Sequence, residues 1–478
     1  MKSAVKILFA VSEAVPFLAT GGMGQVAGAL SAALKKLHPR KYDIRVVMPL
    51  YGAFREQYQD EFKFVGETTV QLAWRNQYCG VFEYKQDNVT YYFVDNRHYY
   101  DRENAYGYGD DGERFAFFSK AVFSVMELVD FVPDVVHAHD WQTALVPIYV
   151  KTRLADKYPD MKTVFTIHNL EYQGKFPYDI LIDVFDLCVE DAQLVEYDGC
   201  INLVKGAIVC TDKLTTVSPS YAWEIQHGGG FGLDAILLEN SYKLSGIING
   251  IDYEEYNPET NTELEKNYTI DTLDAKVSNK MKLQSLLGLP VSPRTMIVCV
   301  VSRLVSHKGM DLITRKMNEI LNLDLQFVLL GTGDHDYEMF FSEKTVSHPD
   351  KLSANITFNP ELAMKVFAGA DVVLMPSFSE PCGLVQMIAC RYGTIPIVRK
   401  VGGLGDTIRD CRAGDGNGFV FDEYNADLLL DTIIQALDLY KYREEDWKNL
   451  MKSAMESDFS WDVSAKAYGK IYEELAKK

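Results

Sequence analysis

The residues best placed to do chemistry are two cations where an apolar stretch gives way to polar residues: Ser302-Arg303-Leu304-Val305-Ser306-His307-Lys308-Gly309. The chain carries a formal charge of -19, so this is a local reversal of sign. Arg offers a rigid fork of donors and Lys a point charge, and together they suit the concentrated charge of a diphosphate. A pair of solvated surface cations would read the same way. A second candidate is Pro376-Ser377-Phe378-Ser379-Glu380-Pro381-Cys382-Gly383-Leu384. Here the N–H groups of Cys382, Gly383 and Leu384, before a helix from about Val385, could point at an anion. Glu380 could accept hydrogen bonds from sugar hydroxyls or only cap that helix.

Four further loops carry candidates. Gly21-Gly22, in Ala19-Thr20-Gly21-Gly22-Met23-Gly24-Gln25, lets backbone approach a phosphate, or is a tight turn. In His137-Ala138-His139-Asp140-Trp141 the two histidines share a strand face. Two ligands do not complete a metal site, and no third stands nearby. Asp140 suits a sugar hydroxyl, or a helix N-cap. His168, in Thr166-Ile167-His168-Asn169-Leu170, is catalytic or structural. Gly402-Gly403-Leu404-Gly405 is another glycine turn. Gly331-Thr332-Gly333 lacks the third glycine of a dinucleotide fingerprint.

Such loops need a scaffold. Val5 to Val11 is nearly all apolar, as in a buried parallel strand. Val26, Leu30, Leu34 and Leu37 follow at helical spacing, and Ile44 to Met48 supplies the next strand. The pattern restarts at Met296 to Val301, with a helix from about Met310 to Leu321 and a strand from Gln326 to Leu330. Further strands are expected at Asp134 to Val136, Thr163 to Ile167, Leu214 to Val217, Asp371 to Met375 and Ile395 to Val398. Repeated strand–helix–strand units predict two α/β lobes with doubly wound sheets, whose ligands sit at the C-terminal ends of the strands. The polar region from Asn249 to Pro293 reads as the linker, and Trp461 to Lys478 as an amphipathic helix.

At 478 residues, two or three domains are expected, and 47% hydrophobic residues suffice for more than one core. The acidic balance disfavours nucleic acid as a partner. The eight cysteines are scattered without a C-x-x-C pair, which opposes a disulfide scaffold or structural zinc. The start, with Lys2 and Lys6 before Ile7-Leu8-Phe9-Ala10-Val11, reads as a strand rather than a signal peptide. No segment is long and apolar enough to span a membrane, and a reducing cytoplasm fits best.

Taken as a set, these stretches resemble bacterial glycogen synthases and plant starch synthases, retaining glycosyltransferases of the GT-B fold. The matching runs include Ser12 to Phe17, Tyr106 to Phe115, His137 to Trp141, Phe165 to Leu170 with Tyr172-Gln173-Gly174, Thr216 to Pro219, Asn249 to Asp252, Val301 to Gly309, and Glu380 to Leu384 with Gln386. The resemblance implies two Rossmann-like domains facing across a deep cleft. Residues 1–249 would form the acceptor-side domain, 250–457 the nucleotide-sugar domain, and 458–478 a helix crossing back to the first. It implies transfer of glucose from ADP-glucose or UDP-glucose to the non-reducing end of an α-1,4-glucan, with no metal and no cofactor. Arg303 and Lys308 would clamp the donor diphosphate. Glu380 would hold the glucose hydroxyls, and Cys382, Gly383 and Leu384 the phosphates. Phe358 would stack on the base, with His168 beside the anomeric carbon. Asp140 would bind donor sugar or align acceptor, and Asn249 would line the cleft. Gly21 and Gly22 would approach the donor.

One loop departs from the family pattern. Ala19 stands where the family has Lys before its Gly-Gly, and Gln25 where it has an acid. That departure motivates a second reading, a catalytically weak homologue that binds glucan or nucleotide sugar and regulates or primes a partner.

Overall fold

The computed structural model describes residues 4–477, so Lys2 and Lys478 lie outside the described residues. The chain forms two compact units, one running up to Gly250 and resuming at Trp461, the other Ile251–Ser460.

The first unit is built on a nine-stranded sheet. In chain order its strands are β1 (Val5–Ala10), β2 (Tyr42–Pro49), β3 (Lys63–Leu72), β4 (Arg75–Gln86), β5 (Val89–Asp95), β6 (Val135–His139), β7 (Lys162–Ile167), β8 (Lys213–Thr216) and β9 (Leu244–Gly246). Their spatial order is β9-β8-β7-β6-β1-β2-β5-β4-β3. The run from β9 to β5 pairs in parallel, and β5-β4-β3 antiparallel. Ile7, Leu8, Phe9 and Ala10 of the central strand β1 are all buried, as covered parallel sheets require. The strand read as Asp134 to Val136 runs on through both histidines to His139.

The helix Trp461–Leu475 packs on the helix Gly22–Leu37 in the same unit. Trp461, Ala465, Tyr468 and Tyr472 recur at helical spacing and are buried. Its far end is held where Glu473 accepts from the Tyr42 hydroxyl at 2.8 Å and pairs with Lys41 at 2.6 Å.

In the second unit six parallel strands are β10 (Met296–Val301), β11 (Leu325–Leu330), β12 (Leu352–Asn355), β13 (Val372–Met375), β14 (Ile395–Arg399) and β15 (Phe419–Phe421), ordered β12-β11-β10-β13-β14-β15. This is a Rossmann-like sheet centred on β10 and β13.

The stretch from Asn249 to Pro293 is not a linker. From Ile251 it folds onto the second unit and includes the helix Lys276–Leu286. Its polar composition misled because several of its polar residues, Lys276, Asn279, Lys280 and Gln284, are buried and paired rather than solvated. Lys276 Nζ donates to the carbonyls of Phe367 and Ala368 and to Thr394 Oγ1 at 2.8, 2.9 and 2.8 Å. Lys280 pairs with Asp371 at 2.7 Å, and Gln284 donates to Gln326 at 2.8 Å. No helix of the described residues is long and apolar enough to cross a membrane.

Candidate active site

In the first unit the candidate residues follow the C-terminal ends of β1, β6 and β7. After β1 the chain turns at Glu13, which is buried directly beneath the glycine loop. Its carboxylate accepts from the Thr20 N–H at 2.5 Å. Burial pushes the Glu13 carboxyl up, against backbone N–H groups of Thr20 and Gly24 that favour the anion. Gly21 and Gly22 are exposed, and a Cβ added at either would meet nothing within 4 Å. This unit's own packing therefore does not require glycine there. At Gly28, by contrast, a Cβ would strike the Val15 carbonyl oxygen.

Asp140 sits just past β6 at φ 53°, ψ -177°, a conformation an L side chain rarely adopts. It occupies the N-cap position of the short turn Trp141–Thr143, yet its side chain caps nothing there. Its carboxylate instead accepts from the His168 N–H at 2.7 Å, tying the loop after β6 to the loop after β7. Burial pushes the Asp140 carboxyl up to about 7, assisted by Glu13 and opposed by the N–H groups of His168 and Asn169.

The three histidines form two linked sets. His137 Nδ1 lies 2.7 Å from the Tyr472 hydroxyl and its Nε2 2.6 Å from Thr166 Oγ1, so it is a buried packing residue. His139 Nδ1 lies 2.9 Å from His168 Nε2, with the rings stacked. Burial holds His168 down to about 3 and His139 well below the usual histidine range, so both are neutral near pH 7. Asn249 is buried, and its Oδ1 has no hydrogen-bond partner among the described residues. No group of three His, Cys, Asp or Glu among the described residues could hold a metal ion.

In the second unit the loops after β10 and β13 interlock. Gly309 has φ 78°, and a Cβ there would strike the Pro376 carbonyl oxygen. The Phe378 N–H donates to the His307 carbonyl at 2.8 Å. This closeness brings Lys308 Nζ within 2.8 and 2.7 Å of the two Glu380 oxygens, with Ser377 Oγ donating to the same carboxylate at 3.1 Å. Glu380 is only 5% exposed. Arg303 is exposed, and its side chain has no ion-pair or hydrogen-bond partner among the described residues.

Beyond Glu380, Gly383 takes φ 73°, and Gln386 folds back so that its Nε2 donates to the Cys382 and Gly383 carbonyls and to Thr407 Oγ1, each at 3.1 Å. Gln386 Oε1 is buried without a hydrogen-bond partner. The Gly383 and Leu384 N–H groups have no backbone acceptor among the described residues, and the helix Val385–Arg391 begins directly after them. Cys382 is buried and Phe358 is 85% exposed on the loop after β12.

The structure thus joins Asp140 to His168, and Lys308 to Glu380 beside the Gly383 turn. Among the described residues no hydrogen bond joins Asn249 to Asp140 or His168 within the first unit, and no hydrogen bond or ring contact joins Phe358 to Lys308 or Glu380 within the second. The Gly402 and Gly403 turn is explained by packing, since a Cβ at either would strike the backbone of Glu380 or Cys382. Gly331 likewise lies against the Ser302 carbonyl oxygen. Sequence reasoning gave no role to Glu13, Ser377, Gln386 or the His139–His168 contact. Glu13 could have been noticed as an acid a few residues past the apolar run Ile7 to Val11.

Residues 290–451 match the family of glycosyl transferases group 1, and residues 6–239 match the starch synthase catalytic domain. With two Rossmann-like units, these matches make the protein a glycosyltransferase of the GT-B fold. It is 45% identical to a glycogen synthase of Bacillus anthracis, over 98% of this chain and 100% of that one. It is also 45% identical to a glycogen synthase of Clostridium perfringens, over 99% of each. A solved structure, the catalytic domain of starch synthase IV from Arabidopsis thaliana bound to ADP and acarbose, superposes with a TM-score of 0.90 at 30% identity and 100% coverage of both chains. The chain belongs to the glycogen and starch synthase family and is a hexosyltransferase, with a nucleotide-sugar donor and a glucan acceptor.

Proposed function

We propose that the protein transfers glucose from ADP-glucose to the non-reducing end of an α-1,4-glucan with retention of configuration, in the cytoplasm. The observation that carries this reading is the part-buried Lys308–Glu380 pair on the loops after the paired strands β10 and β13, with the exposed side chain of Arg303 on the first of those loops. Arg303 and Lys308 neutralise the diphosphate and stabilise the leaving nucleotide as its charge develops. Glu380, oriented by Lys308 and Ser377, accepts hydrogen bonds from the glucose hydroxyls. The N–H groups of Cys382, Gly383 and Leu384 face the phosphates, and the exposed ring of Phe358 stacks on the base. Residues 250–457 thus serve the donor, and residues 1–249 with 458–478 carry the acceptor side. There Gly21 and Gly22 admit the donor closely, His168 sits by the anomeric carbon, Asp140 binds sugar or aligns acceptor, and Asn249 contributes to donor binding.

Retention follows if the glucan hydroxyl attacks on the face the nucleotide leaves, with the departing phosphate taking the proton. The adenine nucleotide is favoured over the uridine one because the starch synthase relative was solved with ADP. Cytoplasmic action is supported by eight cysteines that all remain free thiols. The test is a side-by-side transfer assay with ADP-glucose and UDP-glucose on glycogen. Higher kcat/KM with ADP-glucose supports the reading, and preference for UDP-glucose overturns the donor assignment. Glucan binding without transfer from either donor would favour a regulatory homologue, the reading that Ala19 and Gln25 motivate.

A further inference from the structure

We propose that His139 is the positioning residue of the transfer site: its Nδ1–H donates to His168 Nε2, which locks His168 in the tautomer that presents an Nδ1–H donor to the sugar. The inference rests on the placement of His168 beside the donor glucose.

Two nitrogens 2.9 Å apart share one proton, so one ring donates and the other accepts. Both imidazoles are neutral near pH 7, and each carries one N–H. Two arrangements follow. If His168 donated, the His139 proton would sit on Nε2, which is fully buried and has no partner among the described residues. That leaves an orphaned N–H in an apolar setting, against the Phe9 ring that stacks on His139 at 5.8 Å. If His139 donates, the buried Nε2 is a bare lone pair, and under-satisfied acceptors are better tolerated than orphaned N–H groups. The neighbouring His137 does not compete, because both its nitrogens are engaged by Tyr472 and Thr166.

The consequence reaches the site through His168. Its Nδ1 has no partner among the described residues and is not among the buried unpartnered atoms, so it is the nitrogen that a ligand can reach. With Nε2 accepting, Nδ1 carries the hydrogen and donates to a sugar hydroxyl oxygen; it does not serve as a base. The backbone of the same residue is held separately, by the Asp140 carboxylate on its N–H. His168 is therefore fixed at both ends from β6, its ring by His139 and its main chain by Asp140.

The full-length protein labelled with 15N in its histidine rings tests this directly. Long-range 1H–15N spectra, with the His168 signals assigned by their loss in His168→Gln, should show a protonated Nδ1 and an unprotonated Nε2 at His168. A protonated Nε2 overturns the proposal. Kinetics supply the second arm. His139→Leu removes the donor and should lower kcat by roughly 10- to 100-fold while the donor KM changes little, as expected for a loosened catalytic geometry. His139→Asn places a carboxamide N–H near the lost Nδ1–H and should recover most of the turnover. Wild-type turnover in His139→Leu overturns the positioning role, and if that variant does not fold the wild-type spectrum still decides. Absence of glucosyl transfer from the wild-type protein, with the stated tautomer observed, would remove the functional reading and leave the hydrogen-bond assignment standing.

Discussion

Lys308→Ala separates the chemistry of the donor clamp from its contribution to the fold. In the native protein the ammonium lies 2.8 and 2.7 Å from the two oxygens of Glu380, whose other side-chain partner among the described residues is Ser377 Oγ at 3.1 Å. Truncation leaves a buried carboxylate with one neutral donor. Breaking a fully buried pair costs about 3–5 kcal/mol. The Lys308 side chain keeps 20% of its surface exposed, so water replaces part of the lost interaction. A loss of about 2–3 kcal/mol is the resulting expectation. For a unit of this size that lowers Tm by about 5–10 °C. Turnover should fall further, by about 10²–10³-fold, the usual effect of removing one preorganised donor from a developing negative charge. The double variant Lys308→Ala/Glu380→Gln removes the buried charge as well, so most of the Tm should return while turnover stays low. Thermal unfolding and initial rates of glucan labelling read the two effects. Turnover of Lys308→Ala within about threefold of wild type, under 1 kcal/mol of transition-state stabilisation, would refute the clamp. Recovery of turnover in the double variant would also refute it.

Other consequences can be checked with the same assays. Arg303→Ala should lower kcat by at least about 10²-fold with Tm nearly unchanged, because the exposed Arg303 side chain has no hydrogen-bond or ion-pair partner among the described residues. Gly21→Ala should leave Tm unchanged but raise the donor KM, since its Cβ meets nothing within the unit, whereas Gly28→Ala should unfold at lower temperature because its Cβ strikes the Val15 carbonyl. The Asp140 carboxyl is raised to about 7 from an ordinary value near 4, so stability held by its neutral form is complete at low pH and lost as pH rises to 7. Asp140→Asn should therefore be more stable than the parent at pH 8, by a margin that shrinks towards pH 5; a pH-independent difference in unfolding free energy would contradict this.

Much of the scaffold is legible in the sequence because buried parallel strands such as Ile7-Leu8-Phe9-Ala10 and Met296 to Val301 are apolar on both faces. Arg303 and Lys308 stand out for a related reason, as cations at the end of such a strand in an acidic chain. What stayed hidden are interactions between distant positions. His139 and His168 are 29 residues apart and meet only because β6 and β7 pair side by side. The stretch from Asn249 to Pro293 reads as a linker because polarity usually means solvent, but Lys276 and Lys280 are buried and satisfied by carbonyls, Thr394 and Asp371. Glu13 escaped notice in the same way, since its partner is a backbone N–H that no side-chain pattern records.

The most direct test of glucosyl transfer is to incubate the purified protein with ADP-glucose and a malto-oligosaccharide, separate the products by chain length and digest them with an enzyme specific for α-1,4 bonds. Stepwise lengthening by glucose units that the digestion removes is the predicted result. Release of ADP with no lengthening of the acceptor, or products that resist the digestion, would contradict the assignment.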